Sequence, residues 1–152
     1  MTLRDSHQDD PPDVERFTEA WDQFVLAIRR SQARGPQSAD DLTLAQYYLL
    51  HPLETERGVP LSRLAESAGI APPTATRVVD GLEKAGLVRR ERSSSDRRTV
   101  LVSLTASGRR RVARKRTELA DQRRRLYENL EPDERRHSER LLRHLAELIC
   151  QL

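Results

Sequence analysis

The apolar residues between positions 60 and 108 follow the spacing of two short helices, two strands and the start of a longer helix. The first helix is predicted to begin at a cap formed by Ser62, with Glu66 a turn later, and to end at Gly69. Its buried side is marked by apolar residues at helical spacing, namely Leu61, Leu64, Ala65 and Ala68. The residues after Gly69 then predict a tight turn into a second helix.

This second helix is predicted to begin at Pro72 or Pro73, because the N–H that proline lacks is not needed in a first helical turn. Its apolar stripe comprises Ala75, Val78, Val79, Leu82 and Ala85. The residues expected to face outward are Thr74, Thr76, Arg77, Asp80, Gly81 and Lys84. The outward face is therefore small and polar, with a cation near its start.

Two strands are predicted after this helix, over residues 87–92 and 99–104, with the polar loop 93–98 between them. A long helix follows from Thr105 to about Asn129. Two helices, a hairpin and a further helix form the pattern of a winged helix-turn-helix. We therefore predict a mainly α fold with a small β-hairpin wing, in which residues 42–105 form the winged lobe.

Amphipathic helices are also predicted before and after this lobe. One runs from Asp13 to about Gln32 with Phe17, Trp21 and Phe24 on one face, and a shorter one is capped by Thr43 and closes at 51–52. The long helix carries a seven-residue repeat of Val112, Leu119 and Leu126. The last helix begins at 132–133, and its stripe comprises Leu141, Leu142, Leu145, Leu148, Ile149 and Leu152. These stripes favour pairing with a second copy through residues 13–36 and 106–152.

The composition fits one domain over residues 13–152, because 152 residues suffice for a modest core. Hydrophobic residues make up 36% and charged residues 34%, so burial must be concentrated in stripes. No apolar run is as long as a membrane span and the acidic start is unlike a signal peptide, which predicts a cytoplasmic protein with no membrane partner. Residues 1–12 are predicted to be a disordered tail. The single cysteine excludes an internal disulfide framework.

The net charge of +3 hides a strong asymmetry along the chain. Residues 1–59 carry 6 basic and 11 acidic groups, residues 60–125 carry 17 and 7, and residues 126–152 carry 4 and 6. The positive charge thus lies on the winged motif and the helix after it. This distribution is typical of a protein that binds a polyanion such as double-stranded DNA.

We assign candidate DNA contacts to three parts of the lobe. The second helix would enter the major groove through Pro73, Thr74, Thr76 and Arg77. On the wing, Arg98 would enter the minor groove with its guanidinium oriented by Asp96, and Arg97 beside it belongs to the same set. Ser62, Arg63 and further cations would hold phosphates. The plainer alternatives are a solvated helix face and a loop ion pair of little consequence.

Three segments make the chain resemble the MarR family of transcriptional regulators: LTLAQYYLL, LSRLAESAGIAPPTATRVVDGLEKAGLVRR and DRRTVLVSLTASG. The last contains the family's Asp-x-Arg wing signature in Asp96 and Arg98, followed by Leu-Thr-x-x-Gly at 104–108. The family often has Asp-Pro before the Asp-x-Arg signature, whereas this chain has Ser93 and Ser94. The resemblance covers residues from about 13 to the C-terminus.

The resemblance implies a homodimer in which the N- and C-terminal helices of two subunits interlock. A twofold dimer would place two recognition helices about 34–36 Å apart and would require an inverted-repeat operator. It also implies a repressor that is released by a small ligand, often aromatic or phenolic. Trp21, Tyr47, Tyr48 and His51 are candidate lining residues for the ligand pocket, although the edge of the core explains them equally well.

Nothing in the sequence predicts an enzyme or a cofactor. The histidines have no metal-ligand spacing, and neither a glycine-rich phosphate loop nor a serine nucleophile elbow is present. Two alternatives to an operator-binding repressor stay open. One is a winged-helix dimer that binds another protein, and the other is a small-molecule-binding protein without an operator of its own.

Overall fold

The computed structural model describes residues 12–33, 41–96 and 98–151. Arg97 and residues 1–11 of the predicted tail lie outside these ranges. The helices are α1 (Pro12–Ala33), α2 (Leu44–Leu50), α3 (Leu61–Ser67), α4 (Pro72–Lys84), α5 (Ala106–Glu128) and α6 (Pro132–Ile149), with a 3-10 turn over His51–Glu54. The strands are β1 (Val59–Pro60), β2 (Val88–Arg92) and β3 (Val100–Leu104). The prediction of a mainly α, winged-helix fold is confirmed.

The chain divides into two compact units, Met1–Leu44 and Ala45–Leu152. In the first unit, the rings of Phe17 and Trp21 on α1 stack with their centroids 6.2 Å apart. The side chains of Phe17 and Phe24 are more than half exposed. The second unit contains the sheet, α3 to α6 and most of α2. The expectation of one domain over residues 13–152 stays a prediction.

The sheet is antiparallel in the order β1-β3-β2, so that β3 lies in the centre. Val102 of β3 pairs with Val59 on one side and with Arg90 on the other, and its side chain is fully buried. The core around it is made of aliphatic side chains from the winged lobe and from α5, chiefly Leu49, Leu50, Leu64, Val79, Leu87 and Val112. Burial of these stripes stabilises the lobe by roughly 1.5–3 kcal/mol for each large side chain.

The predicted cap at Ser62 is wrong. Val59 and Pro60 pair with Val102 and Leu101 of β3, and the chain leaves this short strand with Pro60 at ψ 136°. Helix α3 therefore begins directly at Leu61, and the structure places Ser62 inside its first turn, where it makes no cap hydrogen bond. The end of α3 is as predicted, since Gly69 takes a left-handed φ of 63°.

The two C-terminal helices begin at the predicted positions. The hydroxyl of Thr105 caps α5 by accepting the N–H of Gly108 at 3.0 Å, and α6 begins with a capping box formed by Glu131 and Glu134. None of the side chains of α6 is buried, and its stripe leaves Leu141 and Leu142 more than half exposed. Among the described residues, no helix is both long and apolar enough to cross a membrane.

Candidate nucleic-acid interface

The N-terminal half of α4 presents an exposed polar face. Ala75, Val79 and Leu82 anchor the opposite face in the core, and all of the residues predicted to meet the major groove are exposed: Pro73, Thr74, Thr76 and Arg77. The hydroxyl of Thr76 donates to the carbonyl of Pro72 at 3.0 Å. The guanidinium of Arg77 makes no hydrogen bond or ion pair with any residue that the structure describes. Short side chains around an exposed arginine suit close approach to base edges.

One residue of the predicted apolar stripe of α4 and one residue of its predicted outward face differ from expectation. Ala85 is exposed, because the helix ends at Lys84 and the chain turns at Gly86, which has a φ of 70°. Asp80 was expected to face outward but is only partly exposed, since its carboxylate pairs with Arg90 of β2. The apolar stripe of α4 therefore ends at Leu82, and the periodicity of α4 alone does not indicate the ion pair with β2.

Helix α3 places Ser62 and Arg63 on its exposed side, as a phosphate contact would require. Arg63 is already occupied, because its two terminal nitrogens reach the two carboxylate oxygens of Glu56 at 2.8 and 2.9 Å. Both side chains are about half exposed, and an ion pair of this kind contributes only about 0–1 kcal/mol. A DNA phosphate can therefore compete with Glu56 for this guanidinium at little cost.

The wing turn is held by the carboxylate of Asp96. Its Oδ1 accepts the backbone N–H of Arg98 at 3.0 Å, and its Oδ2 accepts the hydroxyl of Thr99 at 2.8 Å. These bonds lower the pKa of Asp96 below its ordinary value, with the N–H of Arg98 as the larger cause and the Thr99 hydroxyl as the smaller. The prediction that Asp96 orients the guanidinium of Arg98 is wrong, because the carboxylate binds the backbone of Arg98 instead. Arg98 is thus held at its backbone N–H, and its exposed guanidinium forms no ion pair with Asp96.

Ser93 shapes the other side of the wing tip, where the family often has Asp-Pro. Its hydroxyl oxygen accepts the N–H groups of Ser95 and Asp96 at 3.3 and 3.4 Å, and its own N–H donates to the carbonyl of Thr99 at 3.0 Å. A serine side chain that accepts backbone N–H groups forms a turn of the same kind as an aspartate does. The serine-rich sequence therefore still closes the hairpin.

The aromatic residues proposed for a ligand pocket divide between core and surface. Tyr47 is buried, with its ring 5.5 Å from Tyr48 and 5.4 Å from His51, and burial raises its pKa. The hydroxyl of Tyr48 accepts a hydrogen bond from Arg123 of α5 at 3.3 Å. A cleft of about 370 Å³ elsewhere in the lobe is lined by other, mostly polar residues from 53–57, β2, β3 and the start of α5. Core packing explains Tyr47, and a ligand role for its neighbours stays a prediction.

Three comparisons agree on the kind of protein that this chain is similar to. The model of the MarR family matches residues 42–100. An uncharacterized HTH-type transcriptional regulator of Bacillus subtilis, YhbI, is 32% identical over 108 residues, which cover 71% of this chain and 70% of YhbI.

Two solved structures share both fold and sequence with the chain. The transcriptional repressor CouR, bound to a 23-mer DNA duplex, is 33% identical with a TM-score of 0.64, and the match covers 79% of this chain and 89% of CouR. The PcaV transcriptional regulator of Streptomyces coelicolor is 28% identical with a TM-score of 0.69, and the match covers 86% and 98% of the two chains. The residues matched by the family model, 42–100, include α4 and β2.

Proposed function

Since this chain belongs to the MarR family of transcriptional regulators, we propose that it is a homodimeric repressor that binds an inverted-repeat operator and is released by a small aromatic or phenolic ligand. The members of this family and the relatives of this chain are transcriptional regulators and not enzymes. The similarity to CouR, a repressor whose structure contains a DNA duplex, supports both the DNA partner and the sign of regulation.

The observation that carries the DNA-binding proposal is the presentation of Arg77 and Arg98 by two adjoining elements. Arg77 lies on the exposed face of α4, and Arg98 lies between β2 and β3 with its backbone N–H bonded to Asp96. Neither guanidinium bonds to a residue that the structure describes. One arginine would thus read the major groove and the other the adjacent minor groove, while Ser62 and Arg63 would hold phosphates.

The apolar surface of α6 supports the dimer. Leu141, Leu142, Leu148 and Ile149 are between 46% and 60% exposed. Leu126 of α5 adds a further large apolar side chain at 69% exposure. So much exposed leucine and isoleucine is typical of an interface, because burying each side chain would stabilise the assembly.

Selection of binding sites from genomic fragments tests the proposal. Purified protein would be mixed with sheared genomic DNA of its own organism, and the retained fragments would be sequenced. The proposal predicts enrichment of one inverted repeat whose half-sites are separated by about one helical turn of DNA. Enrichment of a single half-site would contradict the dimeric arrangement, and no enrichment of any sequence would contradict a repressor with an operator. Loss of the complex on adding one of a panel of aromatic acids and phenols would then identify the releasing ligand.

A further inference from the structure

Arg90 occupies an unusual position in the wing. It lies on the same side of β2 as the buried Val88, where strand alternation calls for an apolar residue, and its side chain is only 23% exposed. Its partner across the sheet is the fully buried Val102 of β3. An arginine at the edge of an apolar core needs polar partners, because burial of an unpaired charge is costly.

The partners of Arg90 are two acidic residues one turn apart on α4. Its Nη2 bonds to Oδ1 of Asp80, and its Nε lies 3.5 Å from Oε2 of Glu83. The second oxygen of Glu83, Oε1, accepts the backbone N–H of Arg90 at 3.1 Å. Both the main chain and the side chain of one wing residue are therefore tied to the recognition helix.

This cluster is not explained by stability alone. Nε of Arg90 is buried and, although it lies 3.5 Å from the Glu83 carboxylate, makes no hydrogen bond to any residue that the structure describes. Replacing a partly buried ion cluster with apolar side chains of similar size is often neutral or even stabilising. A guanidinium is planar and its donors point in fixed directions, so two carboxylates on one helix can hold it in a single orientation.

We infer that the cluster of Arg90, Asp80 and Glu83 acts as a clasp that fixes the angle between the recognition helix and the wing. Arg90 is then a positioning residue, which acts on DNA through the placement of Arg77 and Arg98. The consequence for DNA rests on the proposed operator binding, because a helix in one groove and a wing in the next must be held at a fixed spacing to bind together. The clasp would supply sequence-specific affinity and leave non-specific attraction to phosphates unchanged.

Neutralising the two acids separates this inference from simple electrostatics. If Asp80 and Glu83 only repel DNA, the double variant Asp80→Asn with Glu83→Gln will bind every DNA more tightly, because two negative charges have been removed. If they orient the wing, the same variant will bind the operator less tightly. Glu66→Gln is the matched control, since Glu66 is an exposed acid of α3 whose side chain makes no bond to a described residue.

The first measurement is the affinity of the wild type and these variants for the selected operator and for a scrambled duplex. We expect the double variant to lose roughly ten- to hundredfold in operator affinity, comparable with one or two mismatched base pairs, and to bind the scrambled duplex as well as the wild type or better. The affinity of the Arg90→Met variant for the operator should fall by a similar factor. Thermal unfolding of each variant identifies any loss that comes from unfolded protein. Operator binding by the double variant that equals or exceeds that of the wild type would overturn the clasp.

The second measurement needs no DNA. Spin labels at Thr74→Cys on α4 and Ser94→Cys on the wing, in a Cys150→Ser background diluted with unlabelled protein, report the distance between the two elements. The clasp predicts a narrow distance distribution that broadens in the double acid variant and not in Glu66→Gln. An unchanged distribution would overturn the inference. If the wild type fails to distinguish the operator from the scrambled duplex, the proposed function fails, and the label distances still decide the clasp.

Discussion

The backbone carbonyl of Leu87 lies against Gly108 so closely that no side chain fits between them. A Cβ at position 108 would overlap the carbonyl oxygen and come within 2.9 Å of its carbon. The same oxygen accepts the N–H of Thr105 at 3.0 Å, and the Thr105 hydroxyl lies 3.2 Å from it. The Leu-Thr-x-x-Gly signature thus has a physical reason, because threonine and glycine together seat the start of α5 on the base of the wing.

Gly108→Ala should destabilise the fold strongly, because α5 must move away from the backbone of Leu87 to make room for one methyl group. We expect the free energy of unfolding to fall by about 2–3 kcal/mol, as in other overpacked sites, measured by urea denaturation. Gly81→Ala is the control, since nothing lies within 4 Å of the position that its Cβ would take. This substitution in α4 should raise the free energy of unfolding by about 0.5–1 kcal/mol. Equal stability of Gly108→Ala and the wild type would show that the close contact with Leu87 does not exist.

The wing turn should depend on the acceptor atoms of Asp96 more than on its charge. Asp96→Ala and Asp96→Asn remove the same negative charge, but only asparagine keeps an oxygen that can accept the N–H of Arg98. We expect Asp96→Ala to bind the operator roughly two- to tenfold more weakly than Asp96→Asn, the equivalent of one net hydrogen bond. Titrations of the two variants against one duplex check this. Equal affinities would mean that the turn is ordered without the aspartate.

The depressed pKa of Asp96 predicts a pH dependence of the wing. Since the pKa is lower in the folded turn than the ordinary value of 3.8, the carboxylate favours the ordered turn above that value. This contribution is lost as the pH falls through the folded pKa. A carboxyl NMR titration should therefore place the midpoint of Asp96 below 3.8, and Thr99→Val should raise it by removing the smaller of the two causes. A midpoint at the ordinary value would contradict the hydrogen bonds described for the turn.

Local sequence patterns predicted those features of the chain that depend only on residues close to each other in sequence. The proline start of α4, the left-handed Gly69 and the start of α5 beyond Thr105 depend on neighbouring residues, and the structure contains all three. The start of α3 was misplaced because β1 exists only through pairing with β3, which lies about forty residues later.

The details of the candidate site needed the folded chain. Asp96 and Arg98 are close enough in sequence to suggest an ion pair, but in the folded chain the carboxylate of Asp96 binds the backbone N–H of Arg98. Arg90 and Asp80 are ten residues apart and meet only because β2 folds back along α4. The sequence feature that indicates this contact is the inward-facing position of Arg90 in the strand pattern, together with two acidic residues on one side of α4.

The proposed dimer predicts a specific sensitivity in α6. Leu142→Glu places a charge on a side chain that is 60% exposed in the single chain and would be buried in the dimer. We expect the variant to sediment as a monomer, because the loss of a central leucine and the burial of an unpaired carboxylate each cost about 2 kcal/mol or more. Arg140→Glu is the control, since it adds acidity to the same helix outside the leucine stripe. A dimeric Leu142→Glu would place the interface elsewhere.

Sequence-specific binding by the winged lobe can be measured as the affinity of the purified protein for the DNA flanking its own gene. A scrambled duplex serves as the comparison, and both affinities are measured over a series of salt concentrations. We expect tight binding to the flanking DNA alone, with a steep salt dependence that corresponds to roughly six to ten phosphate contacts. Arg98→Ala should lose most of the preference for the flanking DNA while the protein remains dimeric. Equal and weak binding to both duplexes at every salt concentration would contradict sequence-specific binding and would leave a basic surface without sequence readout.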